Sequence, residues 1–160
     1  MAMAFSKWRS DFWNSFRADR GEVLTDYFRL PTESEWEYAA RGGKYSKNFE
    51  YPGSNKLSDV AWYGKANGIT HEIGQKKPNE LSIFDMGGNV IEWCQDWYGE
   101  DYYKKSVDEL NPKGPEKGEK RVLRGGSYLD ADVVCRNVYR SYMSPDTRRW
   151  SVGFRLAMDY

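Results

Sequence analysis

The chain opens with aromatic residues spaced three and four positions apart. Phe5, Trp8, Phe12 and Phe16 fall on one side of a helix with 3.6 residues per turn, and charged residues occupy the positions between them. Gly21 follows, and glycine is a residue at which helices commonly end. The spacing therefore predicts an amphipathic helix over this segment, with its aromatic side packed against the rest of the protein.

A capping signal predicts a second helix. Thr32 is followed three residues later by Glu35, the capping-box arrangement in which each side chain binds a free backbone N–H of the first turn. Trp36 and the two alanines at 39 and 40 provide an inner face, and Gly42 provides a stop. We therefore predict a helix over residues 32–41.

Three later segments predict strands. Residues 91–98 are aromatic and apolar, residues 121–128 resemble a central strand entering a tight glycine turn, and residues 151–158 form a terminal strand. The segments 44–84 and 104–120 are polar and lack periodicity, which predicts loops. Loops this long are unusual in compact domains unless something organises them, and a bound cation is one candidate.

These elements together predict an α+β fold. We expect the two helices to pack on a small, twisted, mostly antiparallel sheet that includes residues 121–123 and 153–157. A length of 160 residues is suited to a single domain over residues 1–160.

Composition adds that the core should be rich in aromatic rings. Mean hydropathy is −0.86, yet 16% of the residues are aromatic, and disordered chains are poor in aromatic residues. The formal net charge is zero, so no broad field attracts nucleic acid, and we expect no nucleic-acid partner.

The sequence offers little for membrane insertion or for zinc. No segment is apolar enough to span a bilayer, and Lys7, Arg9 and Asp11 interrupt any signal-peptide core, so the chain is cytoplasmic or has lost a leader. Cys94 and Cys135 could form a disulfide, remain buried thiols or act chemically, and burial is the default. One histidine and two cysteines are fewer than the four ligands of a structural zinc site, so we expect no zinc.

Four segments in order carry a family resemblance: RLPTESEWEYAARGG (29–43), LSIFDMGGNVIEWCQDWY (81–98), RVLRGGSY (121–128) and VGFRLA (152–157). With these segments the chain resembles the formylglycine-generating-enzyme, or sulfatase-modifying-factor, family, which uses a variant of the C-type lectin fold. Members of that family usually have a further segment before the first helix, so we expect either a short natural version or a fragment.

The resemblance implies an oxidase chemistry that this sequence does not support. Enzymes of the family use molecular oxygen to convert a cysteine of a sulfatase peptide to formylglycine, with copper(I) held by two cysteines shortly after the Gly-Gly-Ser turn. Counted forward from that turn, the two positions are Asp130 and Cys135. Counted back from residues 153–155, the loop is about three residues short and Cys135 misses the second position as well. A carboxylate is a poor ligand for copper(I), so we expect no copper, and Cys135 is the only catalytic candidate left.

The resemblance also implies a calcium site. Its ligands would be the side chain of Asp85, the backbone carbonyls of Gly88 and Val90, and the carboxylate of Glu92. Calcium prefers six to eight hard oxygen ligands, which suits this set. In the alternative, Asp85 caps a turn and Glu92 pairs with an arginine.

A ligand-binding surface is the third implication, because the segment between residues 128 and 151 forms the exposed ligand face of C-type-lectin-like folds. Tyrosine, arginine and tryptophan are frequent anchors of such surfaces. The candidate residues are Tyr128, Leu129, Asp130, Asp132, Tyr139, Tyr142, Met143, Arg149 and Trp150. We predict a non-catalytic, calcium-stabilised domain that binds a protein, peptide or glycan. The alternatives are a copper-dependent formylglycine-generating oxidase and an accessory domain of a larger enzyme.

Two subgroups of the family remain open. The first helix and the final segment are similar to those of the gliding-motility lipoproteins of Bacteroidetes, which implies a periplasmic or cell-surface location. Receptors diversified by retroelements also use this fold. Adenine-directed variation of AAY codons does not generate methionine or tryptophan codons, so Met143 and Trp150 count against that second subgroup.

Overall fold

The computed structural model describes residues 1–24 and 27–158. It contains a four-stranded sheet, a two-stranded sheet, one long N-terminal helix and several short helices joined by long loops. In chain order the elements are α1 (Ala2–Ala18), β1 (Phe28–Arg29), α2 (Glu33–Ala40), α3 (Leu57–Val60), β2 (Ile91–Trp97), α4 (Tyr102–Lys105), β3 (Arg121–Arg124), β4 (Ser141–Met143), β5 (Val152–Gly153) and β6 (Ala157–Met158). The predicted mixture of helices and a small sheet is confirmed.

The larger sheet has the strand order β4-β3-β2-β5. The β2–β3 and β3–β4 pairs are antiparallel, and β5 lies parallel to β2. The terminal strand predicted over residues 151–158 is in fact two short strands. Of these, β5 joins the same sheet as β3, as predicted, whereas β6 pairs with β1 in the two-stranded sheet. The segment between β5 and β6 carries Arg155, which contacts the backbone at Asp85.

Helix α2 begins as its sequence predicts. The Thr32 side chain accepts a hydrogen bond from the Glu35 N–H, and the Glu35 carboxylate accepts one from the Thr32 N–H at 2.8 Å. A capping box of this kind satisfies two backbone donors that would otherwise lack partners. The inner face carries Trp36, which is buried in the main core beside Met86 and Val122. The capping box and this one indole thus fix both the start and the orientation of the helix.

Helix α1 corrects the prediction, because its aromatic side faces solvent. The side buried against β1 is formed by Ser6 and Ser10, and the Ser10 hydroxyl accepts a hydrogen bond from the Phe28 N–H at 2.7 Å. Small side chains allow the helix to approach the strand closely. The predicted inner face is between 42% and 53% exposed, and its members are Phe5, Trp8, Phe12 and Phe16. Helical spacing identified residues that share a face but not whether that face is covered.

The aromatic rings of α1 contact one another. Successive centroids are 5.4 Å apart for Phe5 and Trp8 and 5.6 Å apart for Trp8 and Phe12, and Phe154 lies 5.5 Å from Phe5. Such pairs stabilise one another beyond simple burial. Among the described helices, none is both long and apolar enough to cross a lipid bilayer. The expectation of a core built mainly from rings is wrong. Among the described residues, the buried aromatic side chains are those of Trp36, Tyr51 and Tyr128, whereas many more aromatic side chains are exposed.

A network of buried charges joins α2 to the sheet. Arg124 on β3 is fully buried and pairs with Glu37, while its guanidinium also donates to the Tyr139 and Asn137 carbonyls at 2.8 Å. Glu33 accepts two hydrogen bonds from Arg140, at 2.7 and 2.8 Å. Buried charges are tolerated when they are paired in this way, so these contacts hold the helix and the segment before β4 in one arrangement.

Asp96 completes this network at the start of α2. Its carboxylate accepts a hydrogen bond from the Glu33 N–H at 2.8 Å. Burial, with a smaller contribution from the nearby charge of Glu33, raises the pKa of Asp96 to about 6. The folded protein therefore holds a proton at Asp96 over a pH range in which the unfolded chain does not.

We expect Asp96→Asn to remove a pH-dependent loss of stability. Because the pKa of Asp96 is raised on folding, its contribution to the unfolding free energy falls as pH rises from about 4 to above 6, by about 3 kcal/mol in total. The variant should match the wild type near pH 4 and be more stable at pH 7. Urea unfolding across this range measures the difference, and parallel pH profiles for the two proteins would contradict the assignment.

Candidate functional site

The turn that precedes β2 is tightly constrained by a close backbone contact. Gly88 has a φ of +70°, and a Cβ at this position would lie 2.2 Å from the Trp62 carbonyl oxygen, so only glycine fits. The Asn89 N–H donates to the same oxygen at 2.8 Å. The turn is therefore fixed against the segment around Trp62, and its carbonyl groups have defined positions.

Asn89 and His71 hold the loop that covers this turn. The Asn89 amide donates to the His71 carbonyl and accepts from the His71 N–H, both at 3.0 Å. The His71 ring stacks on Trp62 with centroids 3.8 Å apart, and the Lys76 ammonium lies 3.9 Å from the centroid of the Trp62 ring. His71 thus organises a loop. Sequence analysis did not identify this cluster, because its members are far apart in the chain.

Glu92 forms an ion pair, as the alternative interpretation anticipated. Its carboxylate accepts hydrogen bonds from Arg155 at 2.6 and 2.8 Å and from the Trp36 indole N–H at 2.8 Å. Arg155 also donates to the Asp85 carbonyl at 3.0 Å. Burial opposes the charge on Arg155, but Glu92 outweighs it, and the pKa of Arg155 is raised. Oε2 of Glu92 thus accepts two of these hydrogen bonds and Oε1 accepts one, so the carboxylate that the resemblance assigns to calcium also forms an ion pair with Arg155.

Asp85 differs from Glu92 in having a free oxygen. Its Oδ2 accepts a hydrogen bond from the Gly74 N–H at 2.7 Å, whereas Oδ1 is buried and has no hydrogen-bond partner. Within residues 1–24 and 27–158, no group of three or more histidine, cysteine, aspartate or glutamate side chains is placed to hold a metal ion. A cation here would therefore depend on Asp85 together with backbone carbonyls such as those of Gly88 and Val90.

Asp130 and Cys135, the two positions implied for copper, have other roles in the structure. The Asp130 carboxylate accepts hydrogen bonds from the Ser127 N–H at 2.8 Å and from the Ser127 hydroxyl at 2.6 Å, which closes the turn after Gly126. Cys135 is fully buried, and a Cβ on Gly126 would lie 2.8 Å from its sulfur. Burial, reinforced by the charge of Asp130, raises the pKa of Cys135 to about 12.

The ligand-binding residues predicted from the sequence do not form one surface. Tyr128 is only 7% exposed, which corrects its predicted place on the exposed face. The reason is the preceding Gly-Gly turn, which returns the chain to the core, where the Tyr128 N–H donates to the Asn89 carbonyl at 2.9 Å.

Tyr142 and Met143 lie on the edge strand β4. The centroid of the Tyr142 ring is 4.1 Å from that of Tyr98 and 4.4 Å from the Lys120 ammonium. Tyr139 lies just before β4.

The remaining predicted residues lie around the turn before β2. The Ile91 N–H donates to the Ser151 carbonyl at 2.9 Å, and the Gly64 N–H donates to the Asp130 carbonyl at 2.8 Å. Together with the hydrogen bond from the Tyr128 N–H to the Asn89 carbonyl, these bonds hold the segments that carry Asp130 and Ser151 beside the turn. Trp150 is 94% exposed. We call these five residues the turn surface: Leu129, Asp130, Asp132, Arg149 and Trp150.

The buried thiols should resist alkylation in the native protein. Both cysteines are free and buried, and burial raises the pKa of each. Because only the thiolate reacts rapidly, iodoacetamide at pH 8 should leave Cys94 and Cys135 unmodified until denaturant is added, as intact-mass spectrometry would show. Rapid native-state modification of Cys135 would mean that its sulfur is available for chemistry.

Solved structures share this fold. Treponema denticola variable protein 1 matches with a TM-score of 0.73 and 40% identity, covering 82% of this chain and 47% of that one. PvdO from Pseudomonas aeruginosa matches with a TM-score of 0.74 and 25% identity, covering 100% of this chain and 60% of that one. The fold is therefore the C-type-lectin-like fold of formylglycine-generating enzymes, as predicted.

Curated relatives agree with the structural matches. The formylglycine-generating enzyme of Streptomyces coelicolor is 38% identical over 148 residues, covering 82% of this chain and 46% of that protein. The serine/threonine-protein kinase pkn1 of Chlamydia pneumoniae is 41% identical over 135 residues, covering 81% of this chain but 20% of the kinase. The chain thus spans half or less of these two relatives. The family model for the sulfatase-modifying factor enzyme 1-like domain matches residues 1–160, and the chain belongs to this FGE-sulfatase family.

Proposed function

We propose that this domain binds a protein, peptide or glycan ligand through the turn surface and does not carry out the oxidation for which the family is named. The observation that carries the proposal is Trp150. A tryptophan that is 94% exposed contributes almost nothing to the core. It lies beside a turn fixed by several backbone hydrogen bonds, and tryptophan is a frequent anchor of binding surfaces.

The positions implied for copper do not fit the metal. The Asp130 carboxylate already accepts hydrogen bonds from Ser127, and a carboxylate is a hard ligand that copper(I) disfavours. Cys135 is buried and holds its proton, so a single thiolate at this position is costly to form. The relatives named formylglycine-generating enzyme keep the oxidase as the alternative function, and these two residues weigh against it.

The kinase relative favours a related possibility, in which the domain acts as a binding module within a larger protein. Its match to this chain covers about a fifth of its length. This supports a role in recognition that is separable from the chemistry of the rest of the polypeptide.

Trp150→Ala should weaken ligand binding without affecting folding. Ligands would be selected from a displayed random-peptide library and a glycan array, and affinities measured by biolayer interferometry. Loss of a central aromatic anchor should reduce affinity at least tenfold, since such residues contribute about 2 kcal/mol or more. Trp8→Ala is the matched control, because Trp8 is an exposed tryptophan on α1, remote in sequence from the turn surface. Equal losses in the two variants would refute the turn surface as the binding site.

The unmodified protein should form no formylglycine on a peptide containing Cys-x-Pro-x-Arg, supplied with copper and oxygen. Asp130→Cys should tighten copper(I) binding at least tenfold, because a second thiolate becomes available five residues before Cys135. Mass spectrometry of the peptide and competition with a copper(I) chelator measure these two outcomes. Repeated turnover by the unmodified protein would establish the oxidase instead.

We also propose that calcium stabilises the turn before β2, with the unpartnered Asp85 Oδ1 as its side-chain ligand. Calcium should raise the melting temperature, because a ligand that binds only the folded state stabilises it. Asp85→Asn should abolish that increase. Glu92→Gln should instead lower the melting temperature equally with and without calcium, because it leaves Arg155 without its carboxylate. A melting curve that does not respond to chelator would refute calcium binding.

A further inference from the structure

Nearly all arginines in this protein have an identifiable partner within it. Each contacts a carboxylate, a backbone carbonyl or an aromatic ring, and the residues are Arg9, Arg17, Arg20, Arg29, Arg41, Arg121, Arg124, Arg136, Arg140 and Arg155. Arg148 and Arg149 are the exceptions. Both are exposed, and neither has an ion pair, side-chain hydrogen bond or ring contact within the described part of the chain.

The loop that carries these two arginines has a defined backbone. The Thr147 N–H donates to the Ser144 carbonyl at 3.0 Å, and the Val152 N–H donates to the Arg149 carbonyl at 3.2 Å. Two consecutive turns therefore position the arginines directly before Trp150. Asp146 lies in the same loop, but among the described residues it forms no ion pair with either guanidinium.

Two unpaired guanidinium groups beside an exposed indole specify a type of ligand. Arginine binds carboxylates through two parallel hydrogen bonds, which gives both strength and geometry. Tryptophan adds a large apolar contact with few rotatable bonds. A ligand that satisfies all three side chains carries carboxylates next to an apolar group.

The charge of the protein distinguishes between anionic partners. Nucleic acids and anionic membranes are bound through many cationic contacts, commonly about 6–10 for a DNA-binding protein. This chain has zero formal net charge and only two unpaired arginines at the site. A short acidic peptide needs no more than two such contacts.

We propose that Arg148, Arg149 and Trp150 bind an acidic segment of a protein partner, with the two guanidinium groups on its carboxylates and the indole against a neighbouring apolar side chain. This inference rests on the proposed function, because it assigns a ligand class to the same turn surface. It also adds Arg148, which sequence analysis did not single out.

The test uses a fluorescein-labelled peptide with two glutamates on each side of a phenylalanine, and a matched peptide with glutamine in place of glutamate. Fluorescence anisotropy at low and high sodium chloride measures binding to the whole chain. The charge-reversal variant carries Arg148→Glu and Arg149→Glu. The control carries Lys113→Glu and Lys117→Glu, which makes the same change in net charge in an exposed loop before β3.

The acidic peptide should bind more tightly than the glutamine peptide, and its affinity should fall with added salt because exposed charges are screened. Charge reversal at Arg148 and Arg149 should weaken binding at least tenfold, while the control changes it less than twofold. Equal effects of the two variants, or no preference for glutamate, would overturn the assignment. Tighter, arginine-dependent binding of a single-stranded oligonucleotide would overturn the choice of an acidic peptide.

The experiments distinguish a failure of the proposed binding surface from a failure of the proposed ligand class. If Trp150→Ala abolishes binding of a ligand selected from the peptide library while the arginine variant binds it normally, the turn surface stands and the acidic class is wrong. If neither variant alters binding of that ligand, both are wrong. Circular dichroism melting curves confirm that each variant is folded before its binding is compared.

Discussion

The contact between Glu92 and Arg155 is the interaction on which the rest of the structure depends. Glu92 lies on the central strand β2, where it is bound at the same time by the Trp36 indole of α2 and by Arg155 from the segment between β5 and β6. A buried carboxylate is stable only with such partners. The Glu92 side chain therefore joins helix α2, strand β2 and the segment between β5 and β6. Arg155 extends the link to the backbone at Asp85, and so to the turn beside which the proposed binding surface is formed.

Local signals in the sequence predicted the elements whose formation depends on neighbouring residues. The capping box of Thr32 and Glu35 and the apolar segment of β2 depend on contacts within a few residues, and both were found as expected. The exposed aromatic side of α1 was predicted wrongly. The aromatic residues do share one side of the helix. Which side packs depends on shape, however, and the serines at positions 6 and 10 allow closer contact with β1. Whether a helix face is buried depends on residues elsewhere in the chain, and the periodicity of the helix itself carries no information about them.

The candidate site was predictable in part for the same reason. A family pattern identified the segment between residues 128 and 151, and Trp150 is exposed there. Tyr128 was misplaced because the direction of its side chain is set by the glycine turn before it, and Tyr142 belongs to a different edge of the sheet. The separation of these residues depends on strand order, and strand order arises from long-range pairing. The partners of Glu92 were foreseen only as an alternative, since a carboxylate in an apolar strand suits an arginine as well as a cation.

The close packing of Gly126 against the Cys135 sulfur bears on what the presence of this cysteine indicates. A larger side chain at position 135 has no room, and a hydroxyl in place of the thiol would need a hydrogen-bond partner in a buried position. Packing alone is therefore a sufficient reason for a cysteine at this position. Cys135 is thus accounted for by its place in the fold, and its presence alone does not indicate oxidase chemistry.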